Sequence, residues 1–288
     1  KEEVIAWKKI AKRCYSLEQQ RKGQILSFMQ SFRLAKELQE WDKFYYVYTA
    51  DFRGRLYCST IGLSPQGADV SKGLIKFSTP VVLGEQGVYW LAVQGANTFG
   101  NDKLTYDDRV AWIKSQEHFI RQVVEDPISY REIWGAADKP YQFLAFCFDW
   151  AASDYGRNFK ATSQIPVGLD GSCNGLQHFS AMLSDKVGAE ATNLVDCNIP
   201  QDIYQRVADV TTRKLREIDH PIARKWLQVG ITRKCAKRPV MTLPYGATQQ
   251  SARAYIFEYA TDNWSKFNLD EDRRWEYAKF LTPVLWEA

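Results

Sequence analysis

Histidine is scarce in this sequence, and its cysteines form no pairs. His118, His178 and His220 are far apart, and the six cysteines at 14, 58, 147, 173, 197 and 235 give no Cys-x-x-Cys. That pattern argues against a structural zinc site and a disulfide framework, and it fits a reducing compartment. No run of about 18 apolar residues is present, so no membrane span is expected. Neither Gly-x-Gly-x-x-Gly nor Gly-x-x-x-x-Gly-Lys-Ser/Thr occurs, which removes the two common glycine-loop phosphate sites. Internal repeats, low-complexity linkers and a signal or transit peptide are also missing. The chain opens on Lys1 and closes on Ala288 straight after the apolar LTPVLWE, so both ends read as cut.

Aromatic residues, by contrast, are plentiful. Ten Trp, fifteen Tyr and fifteen Phe stand in a chain that is 45% hydrophobic. Such a chain can fill a sizeable core and is not disordered. Its 288 residues fit one large domain or two. The net charge is only +4, but it is unevenly spread. From Arg213 to Arg238 there are nine Lys or Arg against Glu217 and Asp219, a local +7 that leaves −3 for the remainder. A basic block in a near-neutral chain suits phosphate or nucleic acid. The plain alternative is a solvated helix face.

Periodicity predicts an α+β, mainly helical chain. Residues 1–41 read as helix, and FYYVYTADFRGRLYCST (44–60) reads as a strand or hairpin pair. Alternation within DFRGRLY places Asp51, Arg53, Arg55 and Tyr57 on one face. That face is either phosphate-facing or an ordinary salt-bridge cluster. The glycine-rich stretch 64–103 predicts several loops. A helix is expected from Tyr106, with Thr105 as N-cap and Asp107 and Asp108 in its first turn. Another is expected through YQFLAFCFDWAAS, and QIPVGLDGSCNGLQHFSAML reads as strand, turn and helix. Residues 200–219 predict an amphipathic helix beginning with Pro200. A last helical region is expected from Ala223 to about Leu243.

Two segments carry candidate chemistry. Asp170 follows a short apolar stretch and precedes Gly171, with Gly175 four residues beyond Gly171. A carboxylate there, with a glycine carbonyl beside it, can hold Mg²⁺, which takes oxygen ligands. An Asp-Gly pair is also the signature of a simple turn. In ITRKCAKRPVMTLPYG, Arg233, Lys237, Met241 and Tyr245 recur every four residues. Four residues turn a helix by about 400°, so these side chains share one slowly drifting stripe. Cations at one end suit a triphosphate, and an apolar, aromatic end suits a base and sugar. A basic amphipathic surface helix is the alternative. Pro239 should bend or interrupt it, leaving Tyr245 and Gly246 in a loop.

At these segments the sequence resembles the bacteriophage-type single-subunit RNA polymerases, which also serve mitochondria and plastids. The matching strings are DFRGRLY (51–57), DVSKGL (69–74), LDGSCNGLQHFSAML (169–183), PQDIY (200–204) and ITRKCAKRPVMTLPYG (231–246). The resemblance is weakest in 1–40 and 247–288. It implies a partial right-hand fold of palm, fingers and the end of the thumb. In that mapping 1–41 is thumb end, 42–79 first palm part, 80–160 palm insertion, 161–187 palm with the metal aspartate, and 188–288 incomplete fingers. The resemblance makes Asp170, joined by Gly171, one metal ligand, and makes Lys237 both a triphosphate contact and a catalytic proton source. Arg233, Arg238, Met241, Tyr245, Gly246 and Gly175 become nucleotide-binding, and Arg53, Arg55 and Lys72 contact the template or hybrid.

The implied reaction is DNA-templated RNA synthesis from ribonucleoside triphosphates, with two Mg²⁺ ions and a DNA template and RNA transcript as partners. Related DNA polymerases carry a Glu five residues after the metal aspartate. Gly175 stands there instead, leaving room for a ribose. The family's second metal aspartate lies in a His-Asp motif, and no histidine follows Gly246. Asp262, Asp270 and Asp272 fall in a polar run that reads as a solvated loop. The YDD at 106–108 precedes Asp170 and suits a helix start. Cys173 and His178 read as packing or local hydrogen bonding. The fragment alone is therefore expected to be inactive, and the missing palm part is expected in cis or as a second chain. The promoter-reading region is likewise expected elsewhere. A split-polymerase subunit that binds template and nucleotide, or a nucleic-acid-binding module, are the competing readings. The resemblance places the protein in the cytoplasm of an infected bacterium, or alternatively in a mitochondrial matrix or plastid.

Overall fold

The computed structural model describes residues 2–52, 54–197, 199–263 and 271–288. It divides into two compact units, Lys1–Gly168 and Leu169–Ala288. Helix dominates both, and the described strands are short. No described helix is long and apolar enough to cross a membrane.

The first unit begins with the expected long helix, α1 (Glu2–Leu38). The expected hairpin follows: β1 (Tyr48–Ala50) pairs antiparallel with β2 (Leu56–Cys58), Thr49 opposite Tyr57. DFRGRLY is not one continuous strand, however. The Asp51 amide donates to the Arg55 carbonyl at 2.9 Å, and Gly54 has φ 77°, so the string turns before β2. Glycine adopts that left-handed conformation without a Cβ clash. Arg53 lies outside the described residues.

Beyond the hairpin, α2 (Asp69–Leu74) and α3 (Gly84–Phe99) occupy the stretch where loops were expected. The glycines of α3 disguise a core helix. Val88, Leu91, Ala92 and Ala96 are buried on it, and a Cβ at Gly95 would run into the Phe146 ring. Next come α4 (Tyr106–Ser115), α5 (Glu117–Glu125), α6 (Arg131–Gly135) and α7 (Pro140–Ala152). The α4 cap is as expected, the Asp108 amide donating to Thr105 Oγ1 at 3.2 Å. Phe143, Phe146 and Trp150 of α7 pack into the core of this unit with Leu91, Ile113 and Ile120. A two-residue ladder joins β3 (Val81–Val82) to β4 (Thr162–Ser163).

The second unit holds α8 (Asn174–Leu183), α9 (Lys186–Ala191), α10 (Ile203–Arg216), α11 (Pro221–Val229), α12 (Arg233–Thr242), α13 (Gln249–Asp262) and α14 (Glu271–Trp286). Its core centres on Leu215, Trp226, Ala236, Ile256 and Leu281. Trp226 is fully buried, and its indole donates to the Tyr277 carbonyl at 3.1 Å. Burying such a ring is worth about 1.5–3 kcal/mol.

Four local expectations change here. The stretch before Asp170 forms no strand ladder among the described residues. α10 starts at Ile203 rather than Pro200, because the Asp202 carboxylate accepts from the Tyr204 and Gln205 amides. An aspartate N-cap is worth about 1 kcal/mol, which fixes the start three residues after the proline. The last helical region is two helices parted at Gly230, whose φ is 88°. Finally, α12 continues through Pro239 to Thr242 and passes into a 3-10 turn at Leu243–Tyr245. Pro239 is buried beside Cys235, Ala236 and Val240 of that helix, so packing outweighs the lost amide bond.

Candidate nucleotide and metal site

In the second unit, Asp170 and Gly171 are exposed on the loop that enters α8, and Asp170 Oδ1 accepts from the Gly171 amide at 2.9 Å. The residues around them are braced. Asn193, at φ 56°, donates to Ser172 Oγ at 3.0 Å and to the Gln201 carbonyl at 2.8 Å, and accepts from the Gln201 amide at 2.7 Å. Gln177 donates to the Thr192 carbonyl at 2.7 Å. Cys173 is buried with φ 55°, and its thiol lies near the Tyr204 hydroxyl. Burial, and then that thiol, push the Tyr204 hydroxyl well above its ordinary range. His178 is exposed on α8, so packing does not account for it.

Asp170 could offer one carboxylate and Gly171 one carbonyl, fewer oxygens than Mg²⁺ takes. Among the described residues, no three His, Cys, Asp or Glu side chains gather as a metal cage. The other carboxylates considered from the sequence are elsewhere employed or not visible. Asp107 accepts from the Tyr89 hydroxyl at 2.8 Å, and Asp108 from Thr105 Oγ1 at 2.6 Å, as a helix start requires. Asp262 closes α13. Asp270, and the side chain of Asp272, fall outside the described residues.

The basic stripe rides on α12. Cys235, Ala236, Pro239 and Val240 face the core, while Lys237, Met241 and Tyr245 are exposed and Arg233 is half-buried. The three cations differ in their surroundings. Arg233 donates from Nε to Asp202 and stacks over the Tyr204 ring at 5.0 Å. Arg238 pairs with Glu258 and lies over the Tyr255 ring at 4.3 Å. Lys237 projects from the exposed face. Gly246 ends the segment in the left-handed region at φ 83°, its amide bonding to the Leu243 carbonyl at 3.1 Å.

The two segments meet. A Cβ on Gly175 would come within 2.8 Å of Pro244 Cβ and 3.3 Å of Tyr245 Cζ. Beside it, the Tyr245 hydroxyl donates to Asn174 Oδ1 at 2.9 Å. Residues 71 positions apart are thus joined at the start of α8.

A further group lies in the first unit. Asp69 accepts from the Tyr141 and Gln142 amides at 2.8 and 3.3 Å and so caps α7 from another element. Ser71 is buried and bonds to the Gly62 carbonyl at 3.0 Å, and a Cβ on Gly73 would overlap the Tyr141 backbone. Lys72 and Leu74 of that string are exposed. Arg55 is also exposed, and its amide bonds to Asp51, which accepts from Tyr57 as well.

A family model described as DNA-dependent RNA polymerase matches residues 81–288. The chain belongs to the DNA-dependent RNA polymerase family. It is 34% identical to the DNA-directed RNA polymerase of Enterobacteria phage T3, over 98% of this chain and 35% of that protein. It is 33% identical to the T7 RNA polymerase of Escherichia phage T7, over all of this chain and 35% of that protein. A mitochondrial DNA-directed RNA polymerase of Schizosaccharomyces pombe is 36% identical, over 86% of this chain and 21% of that protein. The chain therefore spans about a third of the length of the phage relatives it matches. The family match starts beyond the strings at 51–57 and 69–74, but both phage relatives align across them.

Asn174, Asn193, Asp202 and Asp69 were not singled out from the sequence of this polymerase chain. Asp202 carried a readable signal, an aspartate just before an apolar run. Asn193 and Asn174 carried none, because their partners are distant in sequence.

Proposed function

We propose that this chain is the portion of a single-subunit RNA polymerase that binds the incoming ribonucleoside triphosphate and supplies one of the metal-binding aspartates. The observation that carries the reading is the closure of α8 on Tyr245. It brings the loop bearing Asp170 and the end of the cationic stripe into one small region of the second unit. In the reaction, the RNA 3′-hydroxyl attacks the α-phosphate on a DNA template and pyrophosphate leaves. Two Mg²⁺ ions, roughly 4 Å apart, would stabilise the attacking and leaving oxygens. Asp170 and the Gly171 carbonyl would hold one of them.

Lys237 binds the triphosphate and gives a proton to the departing pyrophosphate. Arg233 and Arg238 add charge along the phosphates, Met241 packs against the nucleotide, and Tyr245 with Gly175 and Gly246 bounds the sugar. Arg53, Arg55 and Lys72 contact template or hybrid backbone. The second carboxylate comes from a further part of the polymerase, in cis or as a second chain, so the 288 residues alone do not catalyse. Residues 161–187 serve as palm and 188–288 as fingers.

Asp170→Ala in the full-length polymerase tests this reading. Nucleotide incorporation should fall by at least about a hundredfold, the scale of losing one charge-stabilising group, with DNA binding kept. Near-normal incorporation would rule out the metal role and leave a template- and nucleotide-binding subunit.

A further inference from the structure

The helix that carries Lys72 is too short to hold itself. α2 has six residues, and isolated helices below about 12 residues are marginal in water. Its own N-cap, Ala68, brings no side-chain acceptor. Three attachments within the first unit keep it in place. Asp69 accepts from the Tyr141 and Gln142 amides of α7 and, at 3.0 Å, from the Gln142 side-chain amide. The buried Ser71 hydroxyl donates to the Gly62 carbonyl and lies 3.0 Å from the buried Ser31 hydroxyl of α1. Gly73 lies so close to α7 that a Cβ there would come within 2.7 Å of the Tyr141 carbonyl.

The Asp69 attachment serves both helices. The N-cap of α7 is Lys139, whose ammonium can only donate, and Pro140 follows it. The amides of Tyr141 and Gln142 are therefore the first in α7 that need an acceptor. The positive end of a helix also favours a carboxylate. Three donors on its two oxygens turn Asp69 toward α7 and away from Lys72. An acid and a base three apart on a helix ordinarily attract each other. Lys72 is nevertheless exposed and has no carboxylate partner among the described residues.

We propose that Asp69 is a positioning residue for nucleic-acid binding: by capping α7 it fixes α2 and leaves the Lys72 ammonium to a backbone phosphate. This rests on the reading of Lys72 as a template or hybrid contact. With α2 already held on α1 and α7, less ordering is left for the complex to impose.

The test measures binding of the full-length polymerase to a DNA template annealed to a short RNA, across a salt series. Lys72→Ala should weaken binding by about tenfold, the scale of one charge-assisted hydrogen bond. It should also flatten the slope of log affinity against log salt by about one, the mark of one lost phosphate contact. Asp69→Ala removes a negative charge, and charge alone would tighten binding. The expected result is the opposite, a loss of roughly three- to tenfold with a flatter salt slope. Lys72→Ala added to it should change nothing further, because both act through one contact. Asp69→Asn still accepts a hydrogen bond, so it should bind at least as tightly as the unaltered polymerase. A merely structural cap would lower the urea midpoint of Asp69→Ala and leave its salt slope unmoved, which would overturn the proposal. So would tighter binding by Asp69→Ala, or losses in the two variants that simply add. If Lys72→Ala changes neither affinity nor slope, the reading of Lys72 as a phosphate contact falls and the inference with it. If Lys72→Ala lowers both and Asp69→Ala lowers neither, only the inference falls.

Discussion

Gly175→Ala sets two known effects against each other at one position. Alanine is the better helix former by about 1 kcal/mol, and Gly175 lies in the first turn of α8, so propensity alone predicts a gain. The added methyl, however, would sit 2.8 Å from Pro244 Cβ and 3.1 Å from Pro244 Cγ. A proline ring in a 3-10 turn cannot rotate aside as a long side chain does. Overpacking of that kind costs about 1–3 kcal/mol. The overlap should win, giving a net loss of about 1 kcal/mol. Gly23→Ala on α1 is the control, because nothing lies within 4 Å of the new methyl. It should stabilise by about 1 kcal/mol at that exposed helix site. Urea unfolding of the 288-residue chain, followed by its tryptophans, measures both. A gain of about 1 kcal/mol at both glycines would refute the reasoning, for it would mean that α8 and Pro244 have room between them.

Other expectations follow from the same contacts. Lys237→Ala should cut nucleotide incorporation severely with little loss of DNA binding, and equal losses in both would reduce Lys237 to a backbone phosphate contact. Asp69→Ala should destabilise the first unit by about 1–2 kcal/mol through the uncapped α7, seen as a lower urea midpoint. Asp69→Asn should recover most of it. Burial pushes the Cys235 thiol up to about 12 from its ordinary 9.0. The unfolded chain therefore loses that proton first, and stability is full below pH 9 and declines as pH rises from there toward 12. Each fully titrating group contributes about 1.4 kcal/mol per pH unit. Cys235→Ala should make the alkaline decline of urea stability shallower by about that amount, and an unchanged slope between pH 9.5 and about 11 would count against it.

Local rules read well from this sequence, and contacts across distance did not. Thr105 sits beside the helix it caps, so its role showed in the string itself. The stripe Arg233–Lys237–Met241–Tyr245 depends only on helical period, and it survived because the opposite face is buried. The glycines of α3 misled for a physical reason. Gly95 is small to admit Phe146, 51 residues further along the chain, and no local rule registers that partner. Pro239 misled in the same way, since core packing overrides the proline's lost amide bond. At the candidate site, Asp170, Gly175 and Tyr245 were visible in the sequence as candidates. Asn174 was not, because its meaning lies in a hydroxyl 71 residues away. Asp69 caps a helix that starts 71 residues later, and for the same reason it reads as an ordinary surface acid.

The cationic stripe is not a row of equivalent charges. Arg238 and Glu258 are both about half exposed, and such a pair is worth about 0–1 kcal/mol, so it yields easily to a phosphate. Arg233 is held more firmly, between Asp202 and the face of Tyr204, with both members of the ion pair only about a third exposed. That grip does not use up the residue. A guanidinium has five donors in a fixed fork, and the bond to Asp202 engages Nε alone. Its two terminal nitrogens remain for a phosphate, already aimed by the carboxylate and the ring. Asp202 in turn is the N-cap of α10, so the position of Arg233 is tied to a helix start. Asp202→Asn keeps the cap and removes the charge. It should therefore leave stability nearly intact while weakening triphosphate binding, if aiming Arg233 is what the carboxylate does. Should Asp202→Asn instead tighten binding, the pair would be restraining Arg233 rather than presenting it. KM for the nucleotide in the full-length polymerase distinguishes the two, because the first raises it and the second lowers it.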